Sequence, residues 1–269
     1  MNNDFIIQKP FNAHLQSLVD YYFFIDIPIS KLKLEEEYVF PFPRITFGYF
    51  FEYPFLVTNH SNQETIKAEM IISRISVNQI SVKPLTERVK IIGAHVRPYT
   101  LAFLTNKNIS EMPWLVKTEE LFGKNAQTFK ERINKCTSPK EMFIEVENIF
   151  SRTILAKDLS LIKDAVQIIE NQKGNISIST LADKIGVSNR TLRNHFHKSI
   201  GCSPKEYINL VKLKQSVYQM KHSTDSLTSV SYSQNYADQA HFTNTFKNIT
   251  GISPKKIREK IPDFRFLQF

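Results

Sequence analysis

The spacing of apolar positions changes period about a third of the way along the chain. Residues 5–55 are dense in aromatic and branched side chains, among them Phe5, Phe11, Tyr21 to Phe24, Phe47, Tyr49 to Phe51 and Phe55. Pro28, Pro41, Pro43 and Pro54 punctuate them. Short strands with turns fit this pattern better than helices. Residues 11–20 fit either a short helix or a loop. From Ile66 to Val82 apolar and polar positions alternate, and a second run from Arg88 passes through Gly93, Ala94 and His95 to Pro98. Such alternation predicts half-buried strands, and the whole of 1–98 reads as a small antiparallel barrel or sandwich.

From residue 99 the spacing turns helical. Phe143, Val146, Ile149 and Phe150 fall at i, i+3, i+6 and i+7, one stripe of a helix over 139–154. The stripe serves either packing on the chain's own barrel or contact with a second copy. Ile162, Ala165, Val166 and Ile169 mark another one-sided helix over 161–172, ended by Gly174. Between them 152–160 predicts a short tether. The expected organisation is a first domain over 1–157, β-rich to 98 and helical from 99, and an all-α domain over 158–260. A tail over 261–269 carries Phe264, Phe266 and Phe269.

The second half repeats itself. Phe196 and Phe246 each open the pattern F-x4-G-x-S-P-K, 50 residues apart, and Leu192 and Phe242 keep that offset. Ala182 and Gly186 align with Ser231 and Asn235 one residue out of step. A self-similar pair predicts two copies of one supersecondary unit. Each copy reads as two short helices around a tight turn, over about 178–200 and 226–249. Ser188 suits an N-cap, Leu192 and Phe196 form a buried i, i+4 stripe, and Ser203-Pro204 starts a joining helix over 204–221. Asn235 can take the left-handed conformation a turn requires. This is helix-turn-helix spacing, in which the second helix enters the major groove.

At these residues the chain resembles the AraC/XylS family of transcription regulators. The strings are TLADKIGVSNRTLRNHFHKSIGCSPKEYI and YADQAHFTNTFKNITGISPKKIRE. It departs from the family at Ser231, Asn235 and Lys212, where Ala, Gly and Arg are usual. The resemblance covers about the last hundred residues. It implies an α+β protein: a cupin-like antiparallel β-barrel or sandwich with helices, then the all-α domain with two helix-turn-helix units. It further implies sequence-specific binding to double-stranded DNA, with a small-molecule effector or a homodimer exerting control, and RNA polymerase as a partner if the protein activates. In the family the helices after the barrel often build the dimer interface.

If the apolar anchors face inward, the neighbouring positions face the groove. In the first unit these are Arg190, Arg193, Asn194 and His197, of which the match to the family's base-reading positions selects Arg190, Arg193 and Asn194. In the second they are Gln239, Ala240, Thr243 and Asn244. Arg pairs bidentately with guanine, Asn and Gln with adenine, and Ala or a Thr methyl touches the thymine methyl. A guanine-containing half-box is expected for unit one and an A/T-richer one for unit two. Phosphate contacts are expected from Thr180, Ser188, Lys198, Lys205 and Lys247, which lie at helix N-termini or nearby.

Charge agrees with that division. The formal net charge is +9, and residues 158–269 hold 16 Lys and Arg against 9 Asp and Glu, leaving +2 on the first domain. A polyanion partner requires such an excess, and basic surface also serves solubility. No apolar run approaches the ~20 residues that span a bilayer. Residues 1–7 lack the basic start of a signal peptide, so the cytoplasm is expected, with no membrane partner. Cys136 and Cys202 match no metal or redox spacing and read as reduced structural thiols.

Three rival readings remain open. An enzyme on a cupin-like barrel would gather histidines and carboxylates around a metal. His14, His60 and His95 are far apart and outside any H-x-H spacing, so no catalytic residue, metal or cofactor is expected. A non-specific nucleic-acid binder would not need polar, non-repetitive recognition faces. A regulator without a small-molecule effector would use its aromatic barrel purely as core. If instead the barrel holds an apolar ligand, Arg44, His95 and Arg97 are the groups expected to orient it.

Overall fold

Period-two segments of the first domain pair into two antiparallel sheets in the computed structural model, which describes residues 5–31, 36–39 and 41–259. The strands are β1 (Phe5–Gln8), β2 (Val19–Pro28), β3 (Glu37–Val39), β4 (Ile45–Tyr49), β5 (Phe55–Asn59), β6 (Glu64–Ala68), β7 (Met70–Ser73), β8 (Ile80–Pro84), β9 (Arg88–Val96) and β10 (Leu115–Lys117). One sheet has the order β1-β2-β9-β4-β7-β10, the other β3-β8-β5-β6. The expected barrel or sandwich is this pair of sheets, cupin-like in its antiparallel layering.

The alternating run from Ile66 is not one strand. It divides into β6, β7 and β8, and the chain changes sheet at Glu69, between β6 and β7. Alternation reports only that one face is buried: Ala68 and Ile80 turn toward the space between the sheets, whereas Met70 and Ile72 of β7 turn to the outer face that the helices cover. The run through Gly93 is β9, flanked by β2 and β4. A side chain at Gly93 would place its Cβ 2.4 Å from the Phe23 ring and 2.5 Å from the Phe47 carbonyl oxygen. Only glycine lets the neighbours close over the strand there. Residues 11–20 resolve into a single 3-10 turn, Ala13–Ser17, and the start of β2. The Asn12 side chain caps that turn, accepting from the His14 amide at 2.9 Å.

Helices follow: α1 (Thr100–Leu104), α2 (Thr118–Phe122), α3 (Lys124–Ile133), α4 (Pro139–Thr153), α5 (Ser160–Asn171), α6 (Ile178–Ile185), α7 (Asn189–Ser199), α8 (Pro204–His222), α9 (Leu227–Ser233), α10 (Gln239–Thr250) and α11 (Pro254–Glu259). The α4 stripe packs on the chain's own barrel. Phe150 meets Phe47 edge-on at 5.5 Å and Phe143 stacks on Tyr22 at 6.2 Å. From α4 to α5 the chain crosses residues 154–159 without a helix. The Leu155 amide bonds the Phe103 carbonyl at 2.8 Å, and Lys157 Nζ donates to Ala102 O at 2.8 Å and to Thr105 O.

Three apolar clusters hold the fold. One lies between the sheets, with Phe23, Phe50, Phe55, Val57 and Ile91. The largest begins under the outer face of the six-stranded sheet, takes in α1 to α4, and continues through Ile162, Val166, Leu181, Leu192, Phe196 and Tyr207. The third belongs to the far end of the chain: Leu213, Val217, Met220, Val230, Tyr236, Phe242, Phe246 and Ile257. The expected aromatic tail lies outside the described residues.

Candidate nucleic-acid interface and effector cavity

Both repeated units fold as paired helices around a left-handed turn residue. In the first, α6 begins at Ile178, where Ser177 caps it by accepting from the Thr180 amide. Ser188 caps α7 as expected, accepting from the Thr191 amide at 3.1 Å. Gly186 ends α6 at φ +75°. In the second unit Ser226 caps α9 and Asp238 caps α10. The residue in the turn is Asn235, at φ +52°. Ser231, standing where the first unit has Ala182, is fully buried, and its hydroxyl satisfies itself on the Thr228 carbonyl at 2.9 Å. The departures at Ser231 and Asn235 are thus accommodated locally.

Each unit turns its anchors inward. Leu192, Phe196 and Phe242 are 0% exposed and Phe246 is 1% exposed. Helical geometry then sends the intervening positions outward. Arg190, Arg193 and Asn194 are exposed on α7, and Gln239, Ala240 and Asn244 on α10; Thr243 is half-buried. The two faces differ in chemistry. The first is cationic. The second is neutral, and its helix starts from the Asp238 carboxylate, which accepts from the His241 amide at 2.7 Å. Gln239 is not free to swing, since its Oε1 accepts from the Thr228 hydroxyl at 2.6 Å. Among the residues expected at phosphates, Lys198, Lys205 and Lys247 are exposed, while the hydroxyls of Thr180 and Ser188 are shared with Ser177 and Thr191 in the caps. The joining helix α8 starts with a capping box between Ser203 and Glu206. Its 19 residues span about 28 Å at 1.5 Å per residue, close to one turn of DNA.

A cavity of ≈ 130 Å³ opens between the two sheets. Phe23, Phe50, Phe55, Val57, Ile91 and Trp114 give it an apolar body, and Arg44, Thr46, Ser73, Arg74, Ser76 and Asn78 supply its polar groups. Of the three groups expected to orient a ligand, Arg44 lines this cavity. Arg97 and His95 do not, and all three meet around a cluster that the sequence did not reveal. Arg44 pairs with Asp20 and with Glu170 of α5, and Arg97 pairs with Asp20 at 2.8 Å and Glu170 at 3.0 Å. The Tyr207 hydroxyl donates to Glu170 at 2.6 Å. Burial opposes ionisation of Asp20, but Arg44 and Arg97 outweigh it and hold its carboxyl below the usual value. This cluster ties the barrel to α5 and α8, the helices on either side of the first helix-turn-helix unit. No local signal marks Asp20 or Glu170, because their partners lie far away in the chain.

His95 is buried behind the cluster among Tyr21, Phe23 and Phe42, and neither ring nitrogen has a partner. Burial, with Arg44 and Lys214 nearby, lowers its pKa to about 3 against the opposing pull of Asp20. The ring is therefore neutral in the fold at ordinary pH. Among the described residues no three His, Cys, Asp or Glu side chains gather for a metal, and no helix is long and apolar enough to cross a membrane.

A family model described as a helix-turn-helix domain matches residues 181–260, and one described as an HTH domain matches residues 161–198. The HTH-type transcriptional activator RhaS of Escherichia fergusonii is 33% identical over 84 residues, 31% of this chain and 30% of that protein. The Msm operon regulatory protein of Streptococcus mutans is 35% identical over 96 residues, 35% of this chain and 34% of that one. The chain thus spans about a third of the length of the curated relatives it matches. Across both domains the fold is similar to ToxT from Vibrio cholerae, with a TM-score of 0.52 and 13% identity over 88% of this chain and 97% of that one. A ToxT structure with bound unsaturated fatty acid matches at a TM-score of 0.50 and 12% identity, covering 100% of this chain and 98% of that one.

Proposed function

We propose that the chain is a sequence-specific transcription regulator of the AraC/XylS type, a reading supported by the match of residues 181–260 to a helix-turn-helix domain and by the likeness to RhaS and the Msm operon regulatory protein. It reads two adjacent major-groove segments with α7 and α10. Arg190, Arg193 and Asn194 read a guanine-containing half-box; Gln239, Ala240, Thr243 and Asn244 read an A/T-richer one. Lys198, Lys205 and Lys247 meet phosphates through their side chains, and Thr180 and Ser188 do so from the helix starts. The reading rests above all on one observation: the outward faces of α7 and α10 are exposed while Leu192, Phe196, Phe242 and Phe246 are buried beneath them. Selection from a random DNA library tests it. Wild type should enrich a bipartite site, and Arg193→Ala should lose the guanine preference in one half of it. Unchanged base preference would refute the assignment.

The first domain receives a small-molecule effector in the cavity between its sheets. ToxT has been crystallised with an unsaturated fatty acid and with a naphthalenyl butenoic acid, each an apolar body with an acid group. The cavity here joins an apolar body to arginines in the same way. Work at the promoter follows, with RNA polymerase as a partner if the protein activates and with a homodimer as a second route of control. The protein acts where the DNA is, in the cytoplasm, and performs no catalysis.

A further inference from the structure

The polar groups of the cavity meet the helices that flank the first helix-turn-helix unit at one place. In the antiparallel pair β4 and β7, Phe47 stands opposite Ile72. Arg44, just before β4, and Arg74, just after β7, therefore leave the sheet at the same end, and both line the cavity. Glu170 and Tyr207 lie against Arg44. The turn at Gly201, between α7 and α8, lies against Arg74: a Cβ on that glycine would come within 3.5 Å of the guanidinium.

The two arginines are unequally satisfied. Arg44 has Asp20 and Glu170. Arg74 donates to the Ile109 and Ser110 carbonyls at 3.1 and 2.9 Å, its buried Nε has no acceptor, and no described carboxylate lies within ion-pair distance of it. A half-buried guanidinium whose buried Nε donor is unused favours the arrival of an anion.

Building on the reading that the cavity takes a small molecule, we propose that its occupant is an amphipathic acid and that Glu170 is the resident counter-ion the acid displaces. The apolar body lies among Phe23, Phe50, Phe55 and Ile91. The acid group is received by Arg74 and competes with Glu170 for Arg44. Glu170 belongs to the DNA-binding half of the chain, so taking Arg44 from it loosens α5 and α8 from the barrel. The exchange swaps one anion for another at Arg44, so it leaves no bare charge behind. An uncharged ligand of the same shape cannot make it. Coupling is reciprocal: whatever weakens the hold of Glu170 strengthens binding of the acid.

Trp114 is the single tryptophan and lines the cavity, so its fluorescence in the full chain reports occupancy. Octanoate and 1-octanol are the probes, equal in length and different in charge. Wild type should bind octanoate at least tenfold more tightly than 1-octanol. Arg74→Gln should erase that preference and leave 1-octanol binding unchanged. Glu170→Gln should tighten octanoate binding five- to tenfold with no change for 1-octanol, and should shift DNA affinity in the direction that octanoate shifts it in wild type. Glu170→Asp, which keeps the charge on a shorter arm, serves if the glutamine variant does not fold; it should give the same change at smaller size. Equal binding of octanoate and 1-octanol would overturn the acid class and leave the effector cavity standing. A clear octanoate preference with no tightening in either Glu170 variant would overturn displacement alone. Silence toward both probes, in fluorescence and in calorimetry, would remove the effector cavity and this proposal together.

Discussion

In the first helix-turn-helix unit, Leu192 and Phe196 lie in a core that runs on without a break to Phe47 and Ile92 of the barrel. In the second, Phe242 and Phe246 lie in a core of eight buried residues drawn only from α8 to α11 and the turn at Tyr236. The second unit meets the first domain along a thin seam, where Ile249 touches both cores and Gln79 crowds Gly251. The internal geometry of the units is nevertheless the same, because caps, a left-handed turn residue and two anchors are local devices. Support is not local. One unit is a continuation of the barrel's core, and the other hangs from the joining helix. The first is therefore the unit placed to feel events in the barrel.

The largest effect that would break this comparison comes from the anchors. Phe196→Ala and Phe246→Ala should each cost about 3–5 kcal/mol. Loss of Phe196 should lower the melting of barrel and first unit together. Loss of Phe246 should raise hydrogen exchange in α9 and α10 while α5 to α7 and the strands stay protected. Equal loss of protection everywhere in both variants would mean that the two cores are one.

Acid should separate the units next. His95 takes up a proton near pH 6.5 in the unfolded chain and only near 3 in the fold. The unfolded state binds the extra proton between those values, so stability falls as pH drops from about 6.5 toward 3, by up to ~1.4 kcal/mol per pH unit. Asp20 adds to the loss only at lower pH, as its depressed carboxyl is protonated below the ordinary carboxylate range. Far-UV melting at pH 7, 5.5 and 4.5 should show this slope, and His95→Gln should flatten it above pH 4.5. Exchange in α9 and α10 should be the least affected.

Smaller effects belong to the reading faces. Arg193→Ala should cost about 1–3 kcal/mol against guanine at one position and lower the salt dependence of binding. Asn244→Ala should cost a similar amount against adenine and leave the salt dependence as it was, since the second face is neutral. Lys247→Ala should have the smallest effect: weaker binding to all sequences alike, with the salt slope reduced by about 1. Competition binding at several salt concentrations separates the three.

What the chain discloses by itself follows the same divide between local and distant. The paired motifs, the cap at Ser188, the turn at Asn235 and the outward positions on α7 and α10 could be read because each depends on residues a few places apart. The strand order could not, since alternation at Ile66 to Val82 carries no mark of the crossing at Glu69. Arg44, Arg97 and His95 were identifiable as polar groups in an aromatic domain, but their partners were not. Glu170 is 126 residues from Arg44, and nothing about an exposed-looking carboxylate on a one-sided helix tells which arginine it will meet. Arg74 gave no signal at all, because its distinguishing property is a missing acceptor.

Ser188 caps one recognition helix with a neutral hydroxyl, and Asp238 caps the other with a carboxylate. On the DNA-binding reading proposed above, a duplex arriving from solution is drawn first toward the arginine-bearing face of α7. In that reading the encounter is one-sided: α7 lands first, and α10 seats afterward from a short distance, where its effective concentration is high enough for neutral side chains to hold.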